Sequence, residues 1–83
     1  MQYTIYIKTA ISSIVEPRRI EADHADNFEL AGVIARDLVY QHKEEAYFVG
    51  TEIRDNENNL MTEYSMNYSN IKPVINTVEY RKE

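Results

Sequence analysis

The chain predicts an α+β domain of two layers, a mostly antiparallel sheet with one helix on one face, in the order β-β-α-β-β-β. In QYTIYIKT, Tyr3, Ile5 and Ile7 fall on one side and Thr4, Tyr6 and Lys8 on the other, which is the period of a half-buried strand. In the run from 23 to 45 the period changes. Leu30, Ala31, Ile34, Ala35, Leu38 and Val39 recur at the three-and-four spacing of an amphipathic helix. Two strand-like runs of matching length then flank the polar NENN, the pattern of a hairpin. With 83 residues, 43% of them hydrophobic, the whole span 1–83 is expected to be one small domain. Cysteine is absent, so neither a disulfide framework nor a thiolate zinc site supplements the core.

Each element has a local signature. After the first strand, Ser12 and Ser13 mark a turn, and RRIEA following Pro17 reads as a short second strand with Ile20 and Ala22 facing one way. The helix is expected from about Asn27 to about Lys43. Asp26 with Glu29 gives a D-x-x-E variant of the capping box, and Ala25 with Leu30 gives a weak hydrophobic staple. Gly32 inside the helix costs about 1 kcal/mol relative to alanine, which implies close approach to the sheet. A four-residue NENN loop sets Asp55 opposite Leu60 and aligns Ile53 with Thr62, Thr51 with Tyr64, Val49 with Met66 and Tyr47 with Tyr68 on the apolar face. Leu30, Ile34 and Leu38 are expected to pack onto Ile5, Val49, Ile53 and Tyr64, with Ile34 at the centre. PVINTVEY supplies a β-branched last strand.

Net charge is -5, and it is unevenly spread. Residues 44 to 63 carry Glu44, Glu45, Glu52, Asp55, Glu57 and Glu63 against Arg54 alone. The DNENN run at its centre does not make a calcium loop. Counting from Asp55, the sixth position is Leu60 where a glycine is needed, and the twelfth is Met66 where a bidentate glutamate is needed. An asparagine-rich turn, tolerant of left-handed backbone, is the expected structure. No metal ligand set and no cofactor are expected.

The second face of the hairpin is expected to pair Phe48 with Asn67, Gly50 with Ser65, Glu52 with Glu63 and Arg54 with Met61. Opposed Glu52 and Glu63 repel by a few tenths of a kcal/mol, which Arg54 offsets diagonally. Glu52, Asp55, Glu57 and Glu63, with Phe48, Met61 and Tyr6 among them, then form an exposed surface suited to a basic, partly apolar protein partner. The alternative is an ordinary solvated face with scattered apolar residues.

Other chemistry finds little support. His24 and His42 flank the helix as solvated side chains, with His42 and Lys43 suiting its C-terminal dipole. Ser12 and Ser13 have no neighbouring histidine or oxyanion loop, and no glycine-rich phosphate loop exists. No catalytic residue is assigned and an enzyme is not expected. Arg18 and Arg19 point to opposite faces of a strand, and no basic stripe accompanies the seven tyrosines, so direct nucleic-acid binding is not expected either. No apolar run approaches the roughly 20 residues of a membrane helix, and the N-terminal residues lack the form of a signal peptide. Cytoplasm is the expected compartment.

The run RRIEADHADNFELAGVIARDLV followed by YFVGTEIRD resembles small phage and mobile-element proteins of strand-helix-hairpin layout, including some anti-CRISPR proteins. That resemblance implies a stoichiometric inhibitor in the host cytoplasm that blocks a nucleic-acid-handling complex. An acidic surface is able to occupy a basic channel because the channel's field attracts any polyanion. The alternative expectation is a small antitoxin-like or regulatory subunit, a homodimer through a sheet edge or face.

Overall fold

In a computed structural model, residues 2–12, 14–68 and 74–80 are described. Among them the elements are β1 (Tyr3–Thr9), β2 (Arg18–Ala25), α1 (Phe28–His42), β3 (Phe48–Arg54), β4 (Leu60–Asn67) and β5 (Val74–Glu79). The five strands form one sheet in the order β2-β1-β3-β4-β5, and every neighbouring pair is antiparallel. The α+β class and the element order are therefore those the sequence predicts. Helix α1 carries the chain from β2 over β1 to β3, so β2 and β3 run parallel with β1 between them.

In the first strand Ile5 is fully buried and the other six residues are half-buried. The second extends three residues beyond the predicted RRIEA. His24 pairs with Thr4 and Ala25 with Tyr3, and the register slips past Ala22, because Tyr6 opposes Glu21 while Ile5 opposes Asp23. All of β2 but Ala25 is exposed. An edge strand with little to bury has no hydrophobic period, so its full length is not legible in the sequence.

Helix α1 begins one residue later than the capping box implies. The carboxamide of Asn27, not the carboxylate of Asp26, accepts the Leu30 N–H at 2.8 Å from an extended backbone at φ -141° and ψ 162°. Glu29 then sits at the second helical position and closes no capping box. Leu30 remains 46% exposed, so no staple forms with Ala25, which is buried at the end of β2.

The buried side of the helix is Ala31, Gly32, Ala35 and Val39, one residue around from the predicted Leu30, Ile34 and Leu38 stripe. Ile34 and Leu38 are half-buried at its flank, and Val49 is exposed rather than in the core. Small residues win the centre because they let the helix backbone approach the sheet. Through that narrow gap the buried Thr51 hydroxyl donates to the Ala35 carbonyl at 2.9 Å. A Cβ on Gly32 would lie 3.2 Å from the Tyr64 hydroxyl, so the close approach inferred from Gly32 is present. Ile5, Ile53, Tyr64 and buried Thr51 and Thr62 form the sheet side of the core. At the helix ends Phe28 meets Tyr3 edge-on at 5.6 Å between centroids, and His42 stacks on Phe48 at 5.8 Å.

Two further slips in register decide which side chains share a face. Between β1 and β3, Lys8 opposes Gly50 and Thr9 opposes Phe48, leaving Val49 as the extra residue. Between β3 and β4, Ile53 opposes Thr62 but Arg54 opposes Leu60, leaving Met61 extra. Phe48 is therefore not displayed on the open face. It is half-buried against His42 on the helix side, and Val49 lies instead beside Lys8, Glu63 and Val78. Met61, also expected on the open face, packs half-buried against the core, and its predicted pairing with Arg54 is replaced by the Arg54–Leu60 pair.

Candidate interaction surface

On the sheet face away from the helix, one row across the strands runs Glu21, Tyr6, Glu52, Glu63, Val78, flanked on one side by Arg19 opposite Lys8. The predicted opposition of Glu52 and Glu63 is present. Its electrostatics are not those of an exposed acidic patch. Glu52 is only 3% exposed and accepts from Arg54 Nε at 2.8 Å and Arg19 Nη1 at 3.4 Å. Arg54 offsets the repulsion, as anticipated, and Arg19 reinforces it from two strands away while lying over the Tyr6 ring at 5.5 Å. Glu63 is tied to the Lys8 ammonium and to the Tyr80 hydroxyl. Burial alone would push the Glu63 carboxyl up, but its bonds to Lys8 and Tyr80 outweigh that and hold it below the ordinary 4.5. The same bond raises the Tyr80 hydroxyl above its ordinary 10.0.

Glu52 and Glu63 thus serve an internal network of two carboxylates and three cations. Lys8, Arg19 and Arg54 lie far apart in sequence. Strand pairing brings Lys8 and Arg19 to the two glutamates, where the local sequence supplies Arg54 alone, so a window of local charge reveals only part of the neutralisation.

The DNENN stretch is a turn, tighter than the four-residue loop expected. Asp55 N–H donates to the Asn59 carbonyl at 3.1 Å and Asn58 N–H to the Asp55 carbonyl at 3.0 Å, enclosing the three residues 56–58. Asn58 takes the left-handed backbone at φ 66°, the geometry for which asparagine is suited. The Asp55 carboxylate accepts the N–H groups of Asn59 and Glu57, both at 2.9 Å, and the Asn59 carboxamide at 3.1 Å. Those bonds, the Asn59 backbone foremost, hold its carboxyl below the ordinary 3.8 despite opposing desolvation. Asp55 organises the turn, while Glu57 stands exposed at its tip.

Tertiary structure adds neighbours to Glu57 that lie in another part of the sequence. Thr4 opposes His24 on one side and Arg54 on the other, so the 55–59 turn and the end of β2 leave the sheet at the same edge. The helix starts there too, at Phe28, three residues after Ala25. Asp23, Asp26, Glu29, Asp55 and Glu57 consequently share one pole of the molecule. The sequence hides this, because Asp23, Asp26 and Glu29 lie in a segment whose charges nearly balance. Arg18, one of the balancing bases, belongs to the opposite end of β2, opposite Thr9.

The opposite end mixes apolar side chains with Glu16, Arg18 and Glu45. Ile11, Val15, Pro17 and Tyr47 line a groove of about 590 Å³ between the β1–β2 and α1–β3 connections, and Ile14 nearby is 93% exposed. His24 and His42 keep to the periphery of both ends, His24 3.5 Å from Glu21 and His42 bonded to Glu45. Ser12 is exposed, and Ser13 lies outside the described residues. Among the described residues no three His, Asp or Glu side chains are grouped to hold a metal ion, and no helix is long and apolar enough to cross a membrane. In comparisons with family models, curated proteins and solved structures, no match to this chain is found.

Proposed function

We propose that the chain is a non-enzymatic interaction module that presents its acidic pole to a basic protein surface, in the manner of a phage or mobile-element inhibitor of a nucleic-acid-handling complex. One observation carries this reading. Glu52 and Glu63 on the sheet face are neutralised internally, whereas Asp23, Asp26, Glu29 and Glu57 are exposed together at one end, and among the described residues no side-chain cation is bonded to them. A molecule with segregated negative charge is steered pole-first towards a positive surface, and such steering acts chiefly on the association rate. The recognition residues expected from sequence divide accordingly. Glu57 stays on the surface, Asp55 supports it by shaping the turn, and Glu52, Glu63, Phe48 and Met61 act behind it as framework.

The test begins with capture of a partner from host lysate at near-physiological salt, identified by mass spectrometry. Association is then measured at two salt concentrations for the parent and for Glu57→Lys combined with Glu29→Gln. Slower association of the variant, with a weaker salt dependence, supports the reading. Equal rates at low salt overturn it, as does the capture of no partner.

A further inference from the structure

The two edges of the sheet are built differently. Edge strand β2 carries Arg18, Arg19, Glu21 and Asp23 and is broken by the bulge at Ala22, all devices that discourage pairing with another strand. Edge strand β5 has no bulge and a single charge, Glu79, at its last position. Val74, Ile75, Asn76, Thr77 and Val78 are uncharged, and its six residues pair with β4 in one unbroken register. Among the described strands none covers its outer edge.

We infer that β5 pairs antiparallel with β5 of a second copy of this chain, about a two-fold axis at Asn76, to give a continuous ten-stranded sheet. The register follows from backbone alternation. Tyr80 N–H donates to the Met61 carbonyl of β4 at 2.9 Å, so the even-numbered residues of β5 direct their backbone groups inward and Ile75, Thr77 and Glu79 direct theirs outward. Pairing Ile75 with Thr77 of the second copy, twice by symmetry, satisfies four outward groups on each strand. In the same register Val74 meets Val78 of the second copy on the open face, where these side chains are now 44% and 42% exposed.

Charge favours this arrangement over a parallel one. Each chain carries a net -5, and its acidic pole lies at the end where β5 finishes, since Glu79 opposes Thr62 beside the turn that joins β3 to β4. Antiparallel pairing sends the two acidic poles to opposite ends of the joined sheet. A two-fold contact of this kind is also closed, so it stops at two copies.

The chain has no cysteine, which permits a direct test. Asn76→Cys places one thiol opposite its symmetry mate in a pair not bridged by hydrogen bonds, where Cα atoms about 4.5 Å apart suit a disulfide. Under mild oxidation it is expected to form a covalent dimer at least about tenfold faster than Glu57→Cys at the distant turn, because a shared interface raises the effective thiol concentration. Sedimentation of the parent should show mass rising towards two chains with concentration, and Thr77→Pro should remain a single chain. That proline deletes an outward N–H without removing a bond to β4. Equal cross-linking rates for the two cysteine variants overturn the inference. A single-chain mass at every concentration, or a dimer that survives in folded Thr77→Pro, does the same. If Thr77→Pro does not fold, the cysteine pair decides alone, since position 76 is exposed.

Discussion

Replacing Glu52 by glutamine removes one charge, with almost no change of shape, from the centre of the sheet network. Glu52 is 3% exposed, and its partners Arg54 and Arg19 keep 19% and 40% of their side-chain exposure. Breaking a fully buried ion pair by removing one partner costs about 3 to 5 kcal/mol. Here the two guanidinium groups retain water and glutamine still accepts one hydrogen bond, so the loss is smaller. The substitution also ends the repulsion from Glu63 opposite, a gain of about 0.2 to 1 kcal/mol. The expected net destabilisation is about 1 to 3 kcal/mol. For a domain of this size each kcal/mol lowers Tm by roughly 4 to 8 °C. Glu52→Lys should be worse, because it sets a third cation against Arg54 and Arg19. The assay is urea unfolding of the parent, Glu52→Gln, Arg54→Met and the double variant, which isolates the coupling of the pair. A change below about 0.5 kcal/mol for Glu52→Gln, with no coupling to Arg54, would place Glu52 among ordinary surface residues and refute the network.

Three further outcomes are expected. Ala35→Leu should destabilise by about 1 to 3 kcal/mol in urea unfolding, because Ala35 is fully buried on the sheet side of the helix, where its carbonyl accepts from Thr51, whereas Leu30→Ala on the exposed side should cost less. Gly50→Ala should cost about 2 kcal/mol or more, measured as loss of Tm, since its new Cβ would lie 2.2 Å from the Tyr64 carbonyl oxygen and backbone must move. The third concerns acid. Glu63 has a folded carboxyl held below its ordinary 4.5, so the stability it contributes is complete above that value and is lost as pH falls through the lowered one. Glu63→Gln should therefore be less stable than the parent at neutral pH and approach it in acid, as urea midpoints at about pH 7 and about pH 3 would show. A gap that stays constant across that range refutes the assignment.

The fold was legible in the sequence because its evidence is local. The period of two in residues 3–8, the change to helical spacing after Asn27 and the NENN turn each depend on neighbours within a few positions, and backbone geometry turns them directly into strand, helix and hairpin. The alignment of Thr51 with Tyr64 and Ile53 with Thr62 followed from that turn, even though the loop proved one residue shorter. A bulge at Met61 absorbs the difference. Where one extra residue enters a strand, alternation reverses. Phe48 and Val49 exchange faces for that reason, and no pattern in AYFVG announces the slip.

The helix face shows a second limit. Leu30, Ile34 and Leu38 are the larger apolar residues and therefore draw the eye, but the distance at which α1 settles is set by Ala31, Gly32 and Ala35, whose small size matters only once a sheet lies beneath them. Charge is the least local property of all. The sequence by itself determined the net charge of -5 and the surplus of carboxylates in 44–63. Tertiary structure alone decided which of those carboxylates remain free, because Lys8 and Arg19 reach Glu63 and Glu52 across strand pairs, and because the end of β2 and the start of α1 bring Asp23, Asp26 and Glu29 to the same pole as Glu57. Coulomb interactions depend on distance in space, and separation along the chain is a poor guide to that distance once strands far apart in sequence are paired.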